Sequence, residues 1–198
     1  MTIDALFGSR IAEVVPDAIT PALADELRAR VSSYTRYTLV DRGSYHHAAI
    51  DEPALFTRFV QIVETRLALA GGAAMGTAGS TGTGSMGAGS KSATNAMGTG
   101  VRSIVEARVL RFLPGDYLLA HADRVYDGNP IEIVLDISES STPGAEVHYR
   151  RRGAVFFRVP SAPCSLAIVE RGPTVTSNHT YVSKRYASDV LRLVALVR

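Results

Sequence analysis

Residues 109–124 read VLRFLPGDYLLAHADR, and the reading of the whole chain turns on them. The stretch opens as an apolar strand, meets the turn dipeptide Pro114-Gly115 and carries His121 and Asp123 at the end of this first strand region. In extended backbone, residues i and i+2 point to the same side. The imidazole of His121 and the carboxylate of Asp123 can therefore reach one ion. A second imidazole, His179, lies far downstream in the strand-like stretch TVTSNHTYV (174–182). Two imidazoles and one carboxylate suit a divalent transition metal and leave coordination positions open for other ligands. By itself the spacing would also arise from a His and an Asp in a surface turn.

Outward from this stretch, the second half of the chain is a series of short strands. VEARVLRFL (105–113), IEIVLDI (131–137), AEVHYR (145–150), GAVFFRV (153–159), SLAIVE (165–170), TVTSNHTYV (174–182) and VLRLVALV (190–197) are rich in β-branched and aromatic residues. Turn signals at Pro114-Gly115, Asp127 to Pro130, Pro143-Gly144, Pro160 to Pro163 and Gly172-Pro173 separate them. The first half reads differently. IAEVV (11–15) is a short strand, and a helix follows from Pro21 to about Val31, with Thr20 as N-cap. YTRYTLV (34–40) is extended, and a second helix spans about Pro53 to Ala70. Leu55, Phe56, Phe59, Val60, Ile62, Val63 and Leu67 give it a broad apolar stripe. The expected fold is mainly β with N-terminal helices (α+β), the helices covering one side of a β-sandwich or open barrel.

Residues 71–100 stand apart. They hold 10 of the 17 glycines and no aromatic or branched aliphatic side chain, so they supply no core. A flexible Gly/Ser/Thr-rich insert is expected there, with a lid over a site as the alternative. The organisation expected is one domain over 1–198, with the β core at 105–198.

Composition excludes several classes of partner. The 198 residues carry 21 basic and 19 acidic side chains, a net charge of +2, without the dense basic face of a nucleic-acid protein. Cys164 is the single cysteine, which excludes a disulfide framework and a cysteine zinc site. No run of eighteen apolar residues suggests a membrane span, and MTIDALFGSR lacks the order of a secretory signal. A cytoplasmic protein with no nucleic-acid or membrane partner is expected.

The stretch 109–124 resembles the segment around the first metal ligands of Fe(II)/2-oxoglutarate dioxygenases of the prolyl-4-hydroxylase-like group. In that group an aromatic, a Gly, a large apolar residue and H-x-D follow at fixed intervals. Phe112, Gly115, Leu118, His121 and Asp123 fill those places here. IEIVLDIS resembles the family's next core strand, TPGAEVHY its glycine turn and strand, and NHTYVSKRYASDVLRLVALV its closing hairpin. The resemblance covers most of the chain outside 71–100. It implies a double-stranded β-helix (jelly-roll, cupin-like) core, with His121, Asp123 and His179 as Fe(II) ligands. It further implies 2-oxoglutarate and O2 as co-substrates, and hydroxylation of a small molecule or peptide side chain with release of succinate and CO2. The family's co-substrate Arg falls on Arg192, a cation in an apolar strand that needs a carboxylate partner. The 2-oxoglutarate carboxylate is the expected partner. Lys184 and Arg185, in a turn-like stretch, compete for the role.

The chain also departs from the family pattern. The tandem glycine is reduced to Pro143-Gly144, the aromatic at Phe112 cannot donate a hydrogen bond, and Asp136 stands where a tyrosine is usual. An acid within IVLDI must be paired or neutralised, and Asp136 is expected to hold Arg192, with recognition of a cationic substrate as the alternative. Arg150 to Arg152 read as a solvated hairpin tip, His148 as a packed or surface residue, and Cys164 as a small buried one. His46 and His47 follow Tyr45 in what reads as a loop before the core. Two other functions remain open on the residues alone. One is a cupin-like metal enzyme that does not use 2-oxoglutarate; the other is a non-catalytic β-sandwich binding module.

Overall fold

The computed structural model describes residues 12–32, 38–39, 43–73, 104–121, 131–171 and 175–197. The chain begins with β1 (Ala12–Val15) and α1 (Pro21–Ser32). Three short strands follow, β2 (Thr38–Leu39), β3 (Gly43–Ser44) and β4 (His46–Ala49), and then α2 (Pro53–Ala73). The remaining strands are β5 (Ile104–Phe112), β6 (Tyr117–His121), β7 (Ile131–Asp136), β8 (Val147–Arg151), β9 (Ala154–Val159), β10 (Leu166–Glu170), β11 (Val175–His179) and β12 (Val190–Val197). They form a seven-stranded sheet, β1-β10-β7-β12-β5-β4-β2, and a five-stranded sheet, β3-β6-β11-β8-β9. Every strand pairing is antiparallel.

Two apolar layers hold this together. Outside the larger sheet, Ala24, Leu27 and Val31 of α1 and Leu55, Phe59, Ile62 and Val63 of α2 cluster with Val109, Ile133, Leu135, Ile168 and Leu193. Between the sheets, Leu110, Val134, Val169, Val190 and Val194 meet Leu118, Val147, Val159 and Val175. β7 and β12 are thus covered on both faces, and all their residues are buried. That is why they read as continuous apolar runs. β11 alternates buried and half-buried residues because its outer face meets solvent.

Local chemistry sets the ends of the elements. Thr20 caps α1: Leu23 N donates to Thr20 Oγ1 at 3.3 Å, and Pro21 opens the helix. Between β5 and β6, Asp116 N donates to Leu113 O at 2.9 Å, and Gly115 has φ +106°. A proline followed by a residue of positive φ is the signature of a type II turn. The β8–β9 hairpin turns on Arg152 (φ +52°) and Gly153 (φ +81°), the two-residue geometry whose twist matches the strands.

Several sequence expectations need correction. Residues 117–121 form a separate strand, β6, where the sequence reading had only the end of a preceding strand region. His46 and His47 do not lie in a loop, since they pair with Arg111 and Leu110 of β5. α2 continues through Gly71-Gly72 to Ala73, beyond the expected helix end and into the stretch assigned to the insert. Residues 74–100 lie outside the described residues. The closing hairpin does not form: β11 pairs with β6 and β8, whereas β12 lies in the other sheet between β7 and β5. The stretch 180–189 therefore crosses from one sheet to the other. Among the described residues, no helix is long and apolar enough to cross a membrane.

Candidate functional site

The inner face of β11 carries Val175, Ser177 and His179, all buried. Ser177 stands opposite His121 on β6, and His179 opposite Leu118, with a shift of register between the two pairs. In a regular strand, positions 118 and 121 would face opposite sides. The irregularity absorbs one residue, leaving Leu119 (58% exposed) and Ala120 outside. Asp123 and the side chain of His121 lie outside the described residues.

Across the gap, the alternation of β12 directs Val190, Arg192 and Val194 between the sheets, and Leu191 and Leu193 toward the helices. Arg192 is 1% exposed and spans the gap. Its Nη1 donates to His179 Nδ1 at 2.8 Å, and its Nη2 donates to Ala145 O at 2.7 Å. Its Nε makes no hydrogen bond and lies 4.0 Å from Asp136 Oδ2. Burial pushes the Arg192 guanidinium below its ordinary range, and the Asp136 charge offsets part of that.

Asp136 answers the expectation placed on it only partly. It faces Arg192 in the β7–β12 register, but its oxygens are taken by backbone N–H groups. Ser138 N donates to Oδ1 at 2.9 Å and Ala162 N to Oδ2 at 3.1 Å. Asp136 therefore clamps two loops and contributes only its charge to Arg192.

Aromatic rings close the other side. Phe112 stacks on His179 with ring centres 4.6 Å apart and planes 19° apart, and Tyr45 stacks on Phe112 at 5.6 Å. Strand pairing of β4 with β5 carries Tyr45 to this column, which the sequence reading missed by treating the segment as a loop. A recess of about 620 Å³ opens beside His179, with Tyr117, Tyr181, Arg150 and Asn178 on its walls. Lys184 and Arg185 are exposed, and Lys184 lies along Gly115.

A second polar cluster lies roughly 13 Å along β7, four residues from Asp136. Glu132, 2% exposed, accepts a 2.6 Å hydrogen bond from Tyr149 Oη and pairs with the Arg171 guanidinium. Burial alone would raise the Glu132 pKa, but Arg171, Arg108 and the Tyr149 hydrogen bond outweigh it, and the net shift is downward. Burial and the Glu132 charge push the Tyr149 phenol well above its ordinary value. The sequence signal was present, an acid inside IEIVLDI, but it had been applied to Asp136 alone.

Two of the remaining expectations fall on the outer face of the smaller sheet. Arg152 is exposed at the β8–β9 turn, and His148 sits within 2.7 Å of Glu146. Cys164 is buried.

No family model and no curated protein matches the chain. Solved structures do. The chain is similar along its entire length to a Pseudomonas putida prolyl-4-hydroxylase, at 16% identity with a TM-score of 0.63, covering 96% of that chain. The fold is that of the 2OG-Fe(II) oxygenases. A Trichoplax adhaerens prolyl hydroxylase, solved with a hypoxia-inducible-factor peptide fragment, shares it at 11% identity and a TM-score of 0.63, over 99% of this chain and 87% of that one. So does HygX from Streptomyces hygroscopicus, solved with nickel and 2-oxoglutarate, at 10% identity and a TM-score of 0.57, over 98% of this chain and 84% of that one. The resemblance of residues 109–124 to the prolyl-4-hydroxylase-like group holds at the level of this oxygenase fold, a jelly roll of two antiparallel sheets.

Of the three expected metal ligands, only the His179 side chain is among the described residues. The register sets His121 opposite Ser177, two residues from His179 on β11. Neutral imidazole has one lone pair for a metal or a hydrogen-bond donor. A guanidinium only donates, so in its contact with Arg192 the Nδ1 of His179 is the acceptor.

Proposed function

We propose that this protein is an Fe(II)- and 2-oxoglutarate-dependent oxygenase that hydroxylates an unactivated C–H bond of a small molecule or a protein side chain. The observation that carries the reading is Arg192. It is a guanidinium sealed between the sheets, with two donors engaged, Nε free of hydrogen bonds and a histidine of the metal motif at its tip. A buried cation of this kind, whose nearest protein carboxylate is already clamped by two backbone amides, suits an incoming carboxylate.

In this reading His121, Asp123 and His179 hold the metal, and Arg192 grips the distal carboxylate of 2-oxoglutarate. Bound Fe(II) would supply dioxygen activation, coupling decarboxylation of 2-oxoglutarate to succinate and CO2 with oxidation of the substrate. The chain's own residues position and shield. Phe112 fixes the plane of the His179 ring from one side, and Tyr45 backs Phe112, so the stack keeps water from that face. Asp136 holds the 138 and 162 loops against the Arg192 end of the gap.

The test is succinate formation from 2-oxoglutarate with added Fe(II). It should require both, vanish in His179→Ala, and need roughly tenfold or more 2-oxoglutarate in Arg192→Met, because a charge-assisted pair contributes about 1.5–3 kcal/mol. Succinate formation unaffected by both substitutions would refute the reading.

A further inference from the structure

The β8–β9 hairpin concentrates charge for which the oxygenase reading has no use. Residues 147–159, VHYRRRGAVFFRV, hold Arg150, Arg151, Arg152 and Arg158 and no acid. The other 17 of the 21 basic side chains are outnumbered by 19 acidic ones, so the excess positive charge of the chain sits here. Among the described residues none of the four pairs with a carboxylate. Arg150 donates to Asn178 Oδ1 at 3.1 Å and to Gly153 O at 3.2 Å, and the preceding acid, Glu146, is held by His148 at 2.7 Å. The same hairpin ends the smaller sheet. β11 and β8 separate β9 from β6, and among the described residues no strand pairs with the far edge of β9. Ala154, Phe156 and Arg158 are exposed there, Phe156 at 41%, while Phe157 and Val159 pack into the layer between the sheets. A register shift leaves Phe156 outside the β8 ladder, with the Arg151 guanidinium 4.9 Å from its ring centre. Beyond it, Phe157, Arg158 and Val159 keep regular register with Tyr149, His148 and Val147. Their backbone groups that point away from β8 are a template for one more strand.

Edge and charge together choose the occupant. An open strand edge is completed by extended polypeptide backbone, which a nucleic acid cannot supply. The arginines favour carboxylates and oppose a second copy of this chain, since β9 laid against β9 would set four arginines against four. We propose that the outer edge of β9 docks an acidic, extended segment of a partner protein, which adds a strand beside Phe157–Val159 and sets its carboxylates against Arg151, Arg152 and Arg158. Only a short run of regular edge is on offer, so backbone pairing and charge have to act together. This docking does not rest on the oxygenase reading.

The probe is a labelled peptide of alternating Glu and Val, titrated against the full chain at low salt by fluorescence anisotropy, with amide hydrogen exchange measured on the complex. The peptide should bind, lose affinity as salt rises, and slow exchange within residues 154–159. Two control peptides separate the contributions: Lys in place of Glu should abolish binding, and N-methylation of alternate amides, which keeps the charge and blocks strand pairing, should weaken it strongly. In the protein, Arg151→Gln, Arg152→Gln and Arg158→Gln together should weaken binding by about threefold or more, the least expected of three exposed ion pairs, with an unchanged melt. No binding of the Glu peptide, equal binding of its N-methylated form, or slowed exchange only outside β9 would overturn the proposal. A single-stranded oligothymidylate that binds the hairpin more tightly than the Glu peptide would overturn it in favour of nucleic acid, and self-association that protects β9 without peptide would overturn it in favour of a second copy. Each of these results leaves the succinate test of the oxygenase reading untouched.

Discussion

Replacing Glu132 with Gln isolates the worth of one buried charge. Gln preserves the volume and the acceptor for the 2.6 Å hydrogen bond from Tyr149, so that bond, about 1 kcal/mol net, is kept. What is lost is the carboxylate facing Arg171, whose side chain is fully buried. Removing one partner of a buried pair costs about 3–5 kcal/mol, because the other charge stays in a medium that solvates it poorly. The charge term wins. For a chain of this size each kcal/mol moves Tm by about 2–4 °C, so the variant should melt roughly 6–20 °C below wild type at pH 7. The dependence on pH gives a second reading. The folded pKa of Glu132 lies below its unfolded value, so its stabilisation is fully present above about 4.3 and is lost as pH falls through the folded value. Calorimetric melts from pH 7 downward should show the gap between variant and wild type narrowing in the acid range. A gap under about 1 kcal/mol at pH 7, or one that stays constant into acid, would refute the assignment of the net charge–charge stabilisation to this pair.

Substituting Lys184 or Arg185 by Met should leave the 2-oxoglutarate requirement unchanged in a succinate assay, because both side chains face solvent rather than the gap. Shortening residues 74–100 to a few Gly and Ser should leave Tm nearly unchanged, since that stretch has no core-forming side chains and closure entropy changes by about 0.6 kcal/mol per doubling of length; a loss of many degrees in a melt would show that it packs. In the proposed metal triad Asp123 takes the coordination position that a halide would need, so mass spectrometry of products formed in chloride buffer should show oxygenated and no chlorinated species.

How much of this was legible in the sequence depends on how local each cause is. The Thr20 cap, the Pro114-Gly115 turn and the strand character of the β7 and β12 runs follow from neighbouring residues. The facing of Arg192 with Val190 and Val194 followed from strand alternation alone. Pairing between distant strands left no such trace. The jump of β12 into the sheet opposite β11 depends on which strands compete for its edges, and the short stretch 180–189 reads equally well as a hairpin turn. The slip in β6 was hidden because YLLA is apolar throughout, so its pattern does not reveal that two consecutive residues face outward. The contact of Arg192 with His179 crosses the gap between sheets and is specified by neither strand on its own. Glu132 was overlooked although its setting obeys the rule applied to Asp136, because its partners Tyr149 and Arg171 come from elsewhere in the chain.

The most direct test of the central claim is a crystal structure with Mn(II) and 2-oxoglutarate. One metal is expected between His121, Asp123 and His179, with the distal carboxylate of 2-oxoglutarate on Arg192. A metal held elsewhere, or a 2-oxoglutarate carboxylate gripped by Lys184 or Arg185, would contradict that claim.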